Sequence, residues 1–295
     1  MPYNMKVVGL LRVRNEELII RETLDCLSRL VDEIYVFDDA STDQTPSICR
    51  NHPKVVKIVR DNKWKIREGY NPQGEQLQQL FEVARKESFP DWFINQEADE
   101  RFDEDFIADY PKLLKQTKYD AIVFQLYDFY ITKEDYNKSY NGDLSRLRKY
   151  CGIEYRNTLR MFRNIAGIDF PKGDFTEPGP FERNSVLFSQ YKIRHYGKAI
   201  SIEEFERKVS FYVKYFPKYG DKWEKRRGKA IHETSDFGTK LVTWEQLKAN
   251  PQLRGRCLYS YDNFKSRKQL FRKAVRYVRK NLRPVDTLIK RMKGN

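Results

Sequence analysis

Residues Lys6 to Thr45 read KVVGLLRVRNEELIIRETLDCLSRLVDEIYVFDDASTDQT and hold a strand, a helix and a second strand in that order. Lys6 to Val13 is a β-rich apolar run. Glu16 to Leu30 places Leu18, Ile19, Leu24, Leu27 and Leu30 at helical spacing, and Glu33 to Phe37 (EIYVF) is a second buried strand. DDASTDQT follows, full of turn formers, and Thr45-Pro46 opens a helix through Cys49. The alternation continues outward with a strand over Val55 to Val59 and a helix over Gln73 to Lys86, whose Leu77, Leu80, Phe81 and Ala84 share one stripe. Further strands follow at Trp92 to Asn95 and Ala121 to Leu126, the latter after a helix containing Leu113 and Leu114. Ser201 to Phe216 reads as a helix with Ser201 as N-cap and Glu204 completing a capping box. Such alternation with short loops predicts a mostly parallel sheet covered on both faces, with ligands at the carboxyl edge of its strands.

The 295 residues are 40% hydrophobic, enough for a full core without disulfide staples. The apolar runs Val7 to Leu11 and Ala121 to Phe124 are far shorter than the ~18 residues of a membrane span. The N-terminus lacks the apolar stretch of a signal peptide, so the protein is expected to stay in the cytosol. Cys26, Cys49, Cys151 and Cys257 form no CxxC pair, which excludes zinc-ribbon and thioredoxin-type motifs. The net charge of +14 is uneven: Arg254 to Asn295 holds fourteen Lys/Arg against Asp262 and Asp286, so the other 253 residues carry only +2. A nearly neutral body gives no reason to expect a specific nucleic-acid partner.

Two polar clusters fall at the expected carboxyl edge. Glu97-Ala98-Asp99-Glu100 follows the Trp92 strand, and carboxylates two residues apart on a turn repel unless a cation lies between them. Hard divalent ions such as Mg²⁺ or Mn²⁺ suit them, with phosphate oxygens filling the remaining positions. Asp38-Asp39-Ala40-Ser41-Thr42-Asp43 follows EIYVF. Asp43 and Thr45 are expected to cap the next helix, leaving Asp39 free to accept from a ribose hydroxyl or a nucleobase N–H.

LLRVRNEELIIRETLDCL, VDEIYVFDDASTDQT and DWFINQEADERF, in this order and spacing, resemble family 2 glycosyltransferases of the GT-A fold. The resemblance is clear over residues 6–105 and weaker to about 215. It implies a Rossmann-like α/β sheet with helices on both faces and a nucleotide-sugar donor, UDP- or GDP-linked. It also implies an inverting transfer to a glycan or lipid-linked acceptor, in assembly of a polysaccharide or glycolipid. The nucleotide-holding roles fall on Arg14, Asn15, Glu16 and Asp39, and the metal- and diphosphate-binding Asp-x-Asp motif falls on Glu97-Ala98-Asp99. Glu97 departs from the family's first Asp, so Asp99 is the expected principal ligand of Mn²⁺ or Mg²⁺. His195, in KIRHYGKAISIEEFERKVSFY, would be the third ligand. The general base is expected in GDFTEPGPFERN, as Glu177 with Asp174 in reserve, and Arg67 (or Lys65) is expected to meet the diphosphate. Arg160 and Arg163 resemble an acceptor-side segment, while Tyr127, Phe129 and Tyr130 suit either a sugar-stacking platform or the core. Glu97 also leaves open an inactive homologue that only binds nucleotide-sugars or glycans.

The expected division is a GT-A domain over residues 1–245 and a basic helical extension over 246–295. In the extension Leu270, Phe271, Ala274, Val275 and Val278 form an apolar stripe flanked by Lys268, Arg272, Lys273, Arg276 and Arg279. That pattern suits a helix lying in the plane of an anionic membrane, and so peripheral attachment to its inner face.

Overall fold

β1 (Val7–Val13) is almost wholly buried because its apolar residues face two helical layers. Val7, Leu11 and Val13 point to one core, Val8 and Leu10 to another, as the two-residue strand period requires. The computed structural model describes residues 5–265. After β1 come α1 (Ile20–Ser28), β2 (Glu33–Asp39), α2 (Thr45–Arg50), β3 (Val55–Asp61), α3 (Gln73–Ser88), β4 (Trp92–Glu97), β5 (Glu100–Phe102) and α4 (Glu104–Lys115). The chain continues through β6 (Ala121–Phe129), α5 (Leu144–Leu147), β7 (Tyr150–Arg163), β8 (Val186–His195), α6 (Ile202–Tyr215), α7 (Pro217–Glu224), β9 (Val242–Thr243), α8 (Trp244–Ala249) and β10 (Cys257–Ser260).

The strands lie in the order β3-β2-β1-β4-β7-β6-β8-β5, with β9 and β10 pairing to β7. β3, β2, β1 and β4 are mutually parallel, β7 runs antiparallel to β4 and β6, and β6 is parallel to β8. Leu24 and Leu27 of α1 and Cys49 of α2 join the first core, while Leu77, Leu80, Phe81 and Ala84 of α3 join the second. The expected α/β sheet with helices on both faces is thus present. Tyr127, Phe129 and Tyr130 are buried, which assigns them to the core rather than to a sugar platform.

The local departures have physical causes. α1 begins at Ile20, not Glu16, because residues 15–17 are stapled to the loop after β2. Ser41 Oγ accepts from Asn15 N–H (3.0 Å), Thr45 Oγ1 from Glu16 N–H (2.7 Å) and Asp43 Oδ2 from Glu17 N–H (3.1 Å). Gln44 holds the N-cap position without a side-chain cap; Asp43 Oδ1 accepts from the first helical N–H, that of Thr45 (2.9 Å), as expected, whereas the Thr45 hydroxyl is spent on Glu16 rather than on the helix. Ser201 does cap α6, accepting from Glu204 N–H at 3.1 Å. α8 crosses residue 245 and β10 pairs in parallel with β7, so the chain stays in the sheet beyond the expected boundary. The remainder of the expected extension, including its apolar stripe, lies outside the described residues.

One loop is positioned by α3. Gln78 Oε1 accepts from Phe170 N–H (2.7 Å), Glu75 Oε2 from Gly173 N–H (2.8 Å), and Asn71 Nδ2 donates to Asp174 Oδ1 (2.9 Å). Gly74 makes the approach possible: a Cβ there would stand 1.7 Å from the Pro171 carbonyl oxygen. Gly74→Ala must push the 169–177 loop off α3 and is expected to cost ~1–3 kcal/mol. Urea unfolding checks this, and a wild-type midpoint would show that the loop is not seated on the helix.

Candidate functional site

The chain leaves β4 at Glu97, turns through Ala98-Asp99, and enters β5 at the far end of the sheet order, paired with β8. That crossing places Glu100 opposite His195 in register, and the Tyr196 N–H donates to the Asp99 carbonyl at 2.8 Å. Residues nearly a hundred positions apart therefore meet. One ligand atom from each of Glu97, Asp99 and His195 lies within 4.8 Å of the others. His195 Nε2 is 3.4 Å from Asp99 Oδ2, and Lys208 Nζ of α6 is 3.6 Å from the same oxygen. Asp99 Oδ1 is buried without a hydrogen-bond partner among the described residues. Two carboxylates and an imidazole around an unused carboxylate oxygen form a donor set that fits Mn²⁺ or Mg²⁺. Gly197 closes over this cluster: a Cβ there would come within 2.6 Å of Asp99 Oδ2 and 2.5 Å of Lys208 Nζ.

Electrostatics follow from the crowding. Burial opposes charge on Asp99, yet His195 and Lys208 hold its carboxyl well below the usual range. Burial likewise opposes charge on His195, but Asp99 and Asp128 outweigh it and raise the imidazole to about 9. For Glu16 the cations Arg207 and Lys208 do not suffice. Burial, then Asp99, pushes it up to about 8.

Two cavities flank the cluster. The first, about 230 Å³, lies at the carboxyl edge of β1 and β4 under α6 and is lined by Arg12, Arg14, Glu16, Trp64, Arg207 and Lys208 among others. Arg14 donates to the carbonyls of Asp39 (2.5 Å) and Ala40 (2.7 Å), with its guanidinium 4.0 Å over the Trp64 ring. The second, about 330 Å³, is lined by Arg156, Thr158, Glu177 and His195, with the exposed aromatics Phe175 and Tyr259. Asp174 and Glu97 line both cavities, which places them at the junction. Burial raises the carboxyls of Asp174 and Glu177 above the ordinary range. Glu177 Oε1 already accepts from Thr158 Oγ1 and Leu159 N–H, both at 2.7 Å.

Arg14, Glu16, Glu97, Asp99, Asp174, Glu177 and His195 are thus brought together. Three expectations need correction. Asp39 is fully buried and not free: Arg12 Nη2 (2.6 Å) and Gln76 Nε2 (2.7 Å) take its two oxygens. Asn15 spends its side chain on Thr42 N–H (2.8 Å) and does not line the cleft. Arg67 is exposed, lies 5.0 Å over Tyr70 and is absent from the cleft, while Lys65 pairs with Asp61. Neither basic side chain lines the cleft. Of the acceptor-side pair, Arg160 lines the second cavity, and Arg163 packs 4.4 Å over the Trp92 ring instead. Sequence reasoning missed Lys208, Arg207 and Phe211, although the capped α6 presents Phe211, which also lines the first cavity, one helical turn beyond the other two. It also missed Asp128, which a reading of the strand ending at Leu126 left out.

Glu16 generates a pH prediction. Its carboxyl binds a proton more tightly folded than unfolded, so its contribution to stability declines as pH rises from about 4.5 through about 8. Melting curves in EDTA are expected to show Glu16→Gln gaining on the wild type across that window. A constant difference between the two proteins would refute the shift.

Residues 11–175, more than half of the chain, match the family model described as glycosyl transferase family 2. An uncharacterized protein of Mycobacterium tuberculosis (strain ATCC 25618 / H37Rv) is 35% identical over 103 residues, covering 32% of this chain and 23% of that protein. A Mycobacterium bovis protein, also uncharacterized, gives the same figures. The chain thus spans about a quarter of the length of the curated relatives it matches. Among solved structures, it is similar to S. aureus TarS 1-349 at 17% identity and a TM-score of 0.41, covering 71% of this chain and 64% of that one. It is also similar to glucosyl-3-phosphoglycerate synthase from Mycobacterium tuberculosis in complex with Mn²⁺, uridine-diphosphate and glucosyl-3-phosphoglycerate. That likeness has 20% identity and a TM-score of 0.30, over 46% of this chain and 48% of that one. With the motif-bearing strands, the crossing turn and the family match over most of the sheet in agreement, the chain belongs to glycosyl transferase family 2.

Proposed function

We propose that this transferase moves a sugar from a nucleotide-diphosphate donor, UDP- or GDP-linked, to a hydroxyl of a glycan or lipid-linked acceptor, with inversion. The observation that carries the reading is the Glu97, Asp99 and His195 cluster, with its unpartnered Asp99 Oδ1, at the junction of two cavities. Asp99, Glu97 and His195 would hold Mn²⁺ or Mg²⁺. Bound there, the ion supplies Lewis-acid stabilisation of negative charge on the departing diphosphate.

The first cavity takes the donor. Arg14, Arg207 and Lys208 line it and neutralise an anionic diphosphate, while protonated Glu16 avoids repelling it. Asp39 supports the site indirectly by fixing Arg12. The second cavity takes the acceptor, with Phe175 and Tyr259 offering ring faces and Thr158 and Glu177 polar edges. Asp174 is the better base of the two acids. Asn71 holds its Oδ1, its Oδ2 has no hydrogen-bond partner among the described residues, and its raised pKa suits proton acceptance. The acceptor oxygen bonds to the anomeric carbon as its proton passes to Asp174. The bond from that carbon to the diphosphate oxygen breaks, and the diphosphate leaves with the electron pair.

A thermal-shift panel of UDP and GDP with and without Mn²⁺ identifies the nucleotide, and diphosphate release from the matching sugar donor measures turnover. Asp99→Ala is expected to abolish the Mn²⁺-dependent shift and turnover. Asp174→Asn is expected to lower kcat by ~10²–10⁴-fold with donor affinity retained. Nucleotide binding without any turnover in the wild type would favour the inactive homologue.

Attachment to an anionic membrane belongs to the same proposal. Tyr259 of β10 lines the acceptor cavity, and the cation-rich stretch of the chain continues directly from that strand. Among the described residues no helix is long and apolar enough to cross a membrane. Each cation near an anionic surface contributes ~1 kcal/mol, so the full chain is expected to sediment with anionic vesicles at low salt. A chain ending at Lys265 is expected to stay in solution. Equal behaviour of the two would remove the membrane from the proposal.

A further inference from the structure

We infer that Asp128 is a positioning residue that fixes the ring orientation and tautomer of His195, so that Nε2 is presented to the Asp99 cluster. The inference rests on reading Glu97, Asp99 and His195 as a cation site. The parallel pairing of β6 with β8 sets Asp128 directly beside His195 in register. Asp128 Oδ1 lies 2.6 Å from His195 Nδ1, on the ring edge away from Asp99. The same carboxylate is flanked by two cations, Arg156 Nη2 at 2.5 Å from Oδ1 and Lys198 Nζ at 3.2 Å from Oδ2. Lys198 also pairs with Asp236, which Arg226 holds in turn at 2.8 Å, so the collar around Asp128 is itself anchored.

An ionised carboxylate only accepts hydrogen bonds, so an imidazole nitrogen 2.6 Å from it must carry the hydrogen. Arg156 Nη2, 3.2 Å from the same ring nitrogen, is a donor and cannot receive that hydrogen. With one hydrogen held on Nδ1 by the carboxylate, the nitrogen that can give up its proton to a cation is Nε2, the atom 3.4 Å from Asp99 Oδ2. Carboxylates that receive the far N–H of a ligating histidine orient it and raise its basicity, and their loss typically weakens metal binding 10–100-fold. Asp128 has the geometry of such a group. An amide in its place lacks the negative charge, so it holds the Nδ1 hydrogen less firmly and leaves the ring a weaker ligand.

The test is Mn²⁺ binding by the full chain without donor, followed by the electron-spin signal of free Mn²⁺, in the wild type, Asp128→Asn, His195→Ala and the double variant. Asp128→Asn is expected to bind ~10–100-fold more weakly. The double variant is expected to bind no more weakly than His195→Ala alone, because Asp128 acts only through that ring. Wild-type affinity in Asp128→Asn, or a full additional loss in the His195→Ala background, overturns the inference while leaving the cation site standing. Absence of Mn²⁺ binding by the wild type, or wild-type affinity in His195→Ala, overturns the cation site and the inference with it. Nitrogen-15 spectra of the wild-type histidines with Mg²⁺ give a second reading that needs no variant, and with three histidines in the chain the assignment is short. His195 is expected to keep its hydrogen on Nδ1, and a neutral ring with a bare Nδ1 and its hydrogen on Nε2 overturns the inference.

Discussion

The guanidinium of Arg160, near the end of β7 and almost wholly buried, is held between two carboxylates. Its Nε and Nη2 meet Glu100 Oε2 (2.8 Å) and Oε1 (2.6 Å), and Nη2 also meets Glu97 Oε1 (2.9 Å). A buried charge is tolerated only with complete pairing, so this contact sets where the end of β4 and the start of β5 can lie relative to β7. The intervening turn is then bonded from several directions. Thr23 Oγ1 and Arg101 Nη1 donate to the Ala98 carbonyl (2.6 and 2.8 Å), and Gln96 Nε2 donates to the Glu100 carbonyl (2.8 Å). Asp99 is left as the side chain of a turn whose neighbours are all committed. It faces His195 and Lys208 because nothing else in the turn can move.

The same contact explains why a glutamate stands where the family has its first aspartate. Glu97 reaches Arg160 with one oxygen and still lies within 4.8 Å of Asp99 and His195. The extra methylene lets one carboxylate join the structural ion cluster and the candidate cation site together. A shared carboxylate links the rigidity of the sheet to the chemistry at its edge.

Around the first cavity the ordering principle is mutual saturation of two loops. The residues after β1 and those after β2 exchange side-chain and backbone hydrogen bonds, with Asn15 and Ala40 at positive φ (53° and 54°) where the chain reverses. Left-handed backbone at non-glycine residues persists only where the surroundings impose it. Arg12, Asp39 and Gln76 tie β1, β2 and α3 together beneath these loops. The Asp-Asp motif is therefore architectural through its side chains, and Arg14 and Glu16 form the wall of the cleft.

Strand and helix periodicity determined the parallel half of the sheet, the two helical layers and the placement of two polar clusters at the carboxyl edge. Those features depend on residues near one another in the chain, where spacing is a sufficient signal. β7 escaped that reading because its polar residues are not on a solvent face. Arg160 is buried by pairing with strands far away in sequence, and Glu154 is buried too, so no alternation of apolar and polar residues marks the strand. The same limit governs the site. Asp99, Glu97 and His195 were legible through their motifs, but whether a carboxylate is free or spent depends on what folds against it. Asp39 meets Arg12 and Gln76, Arg67 turns outward, and Lys208 arrives on a helix more than a hundred residues after Asp99. Only the tertiary structure decides these, because the free energy of a buried charge is set by neighbours in space rather than in sequence.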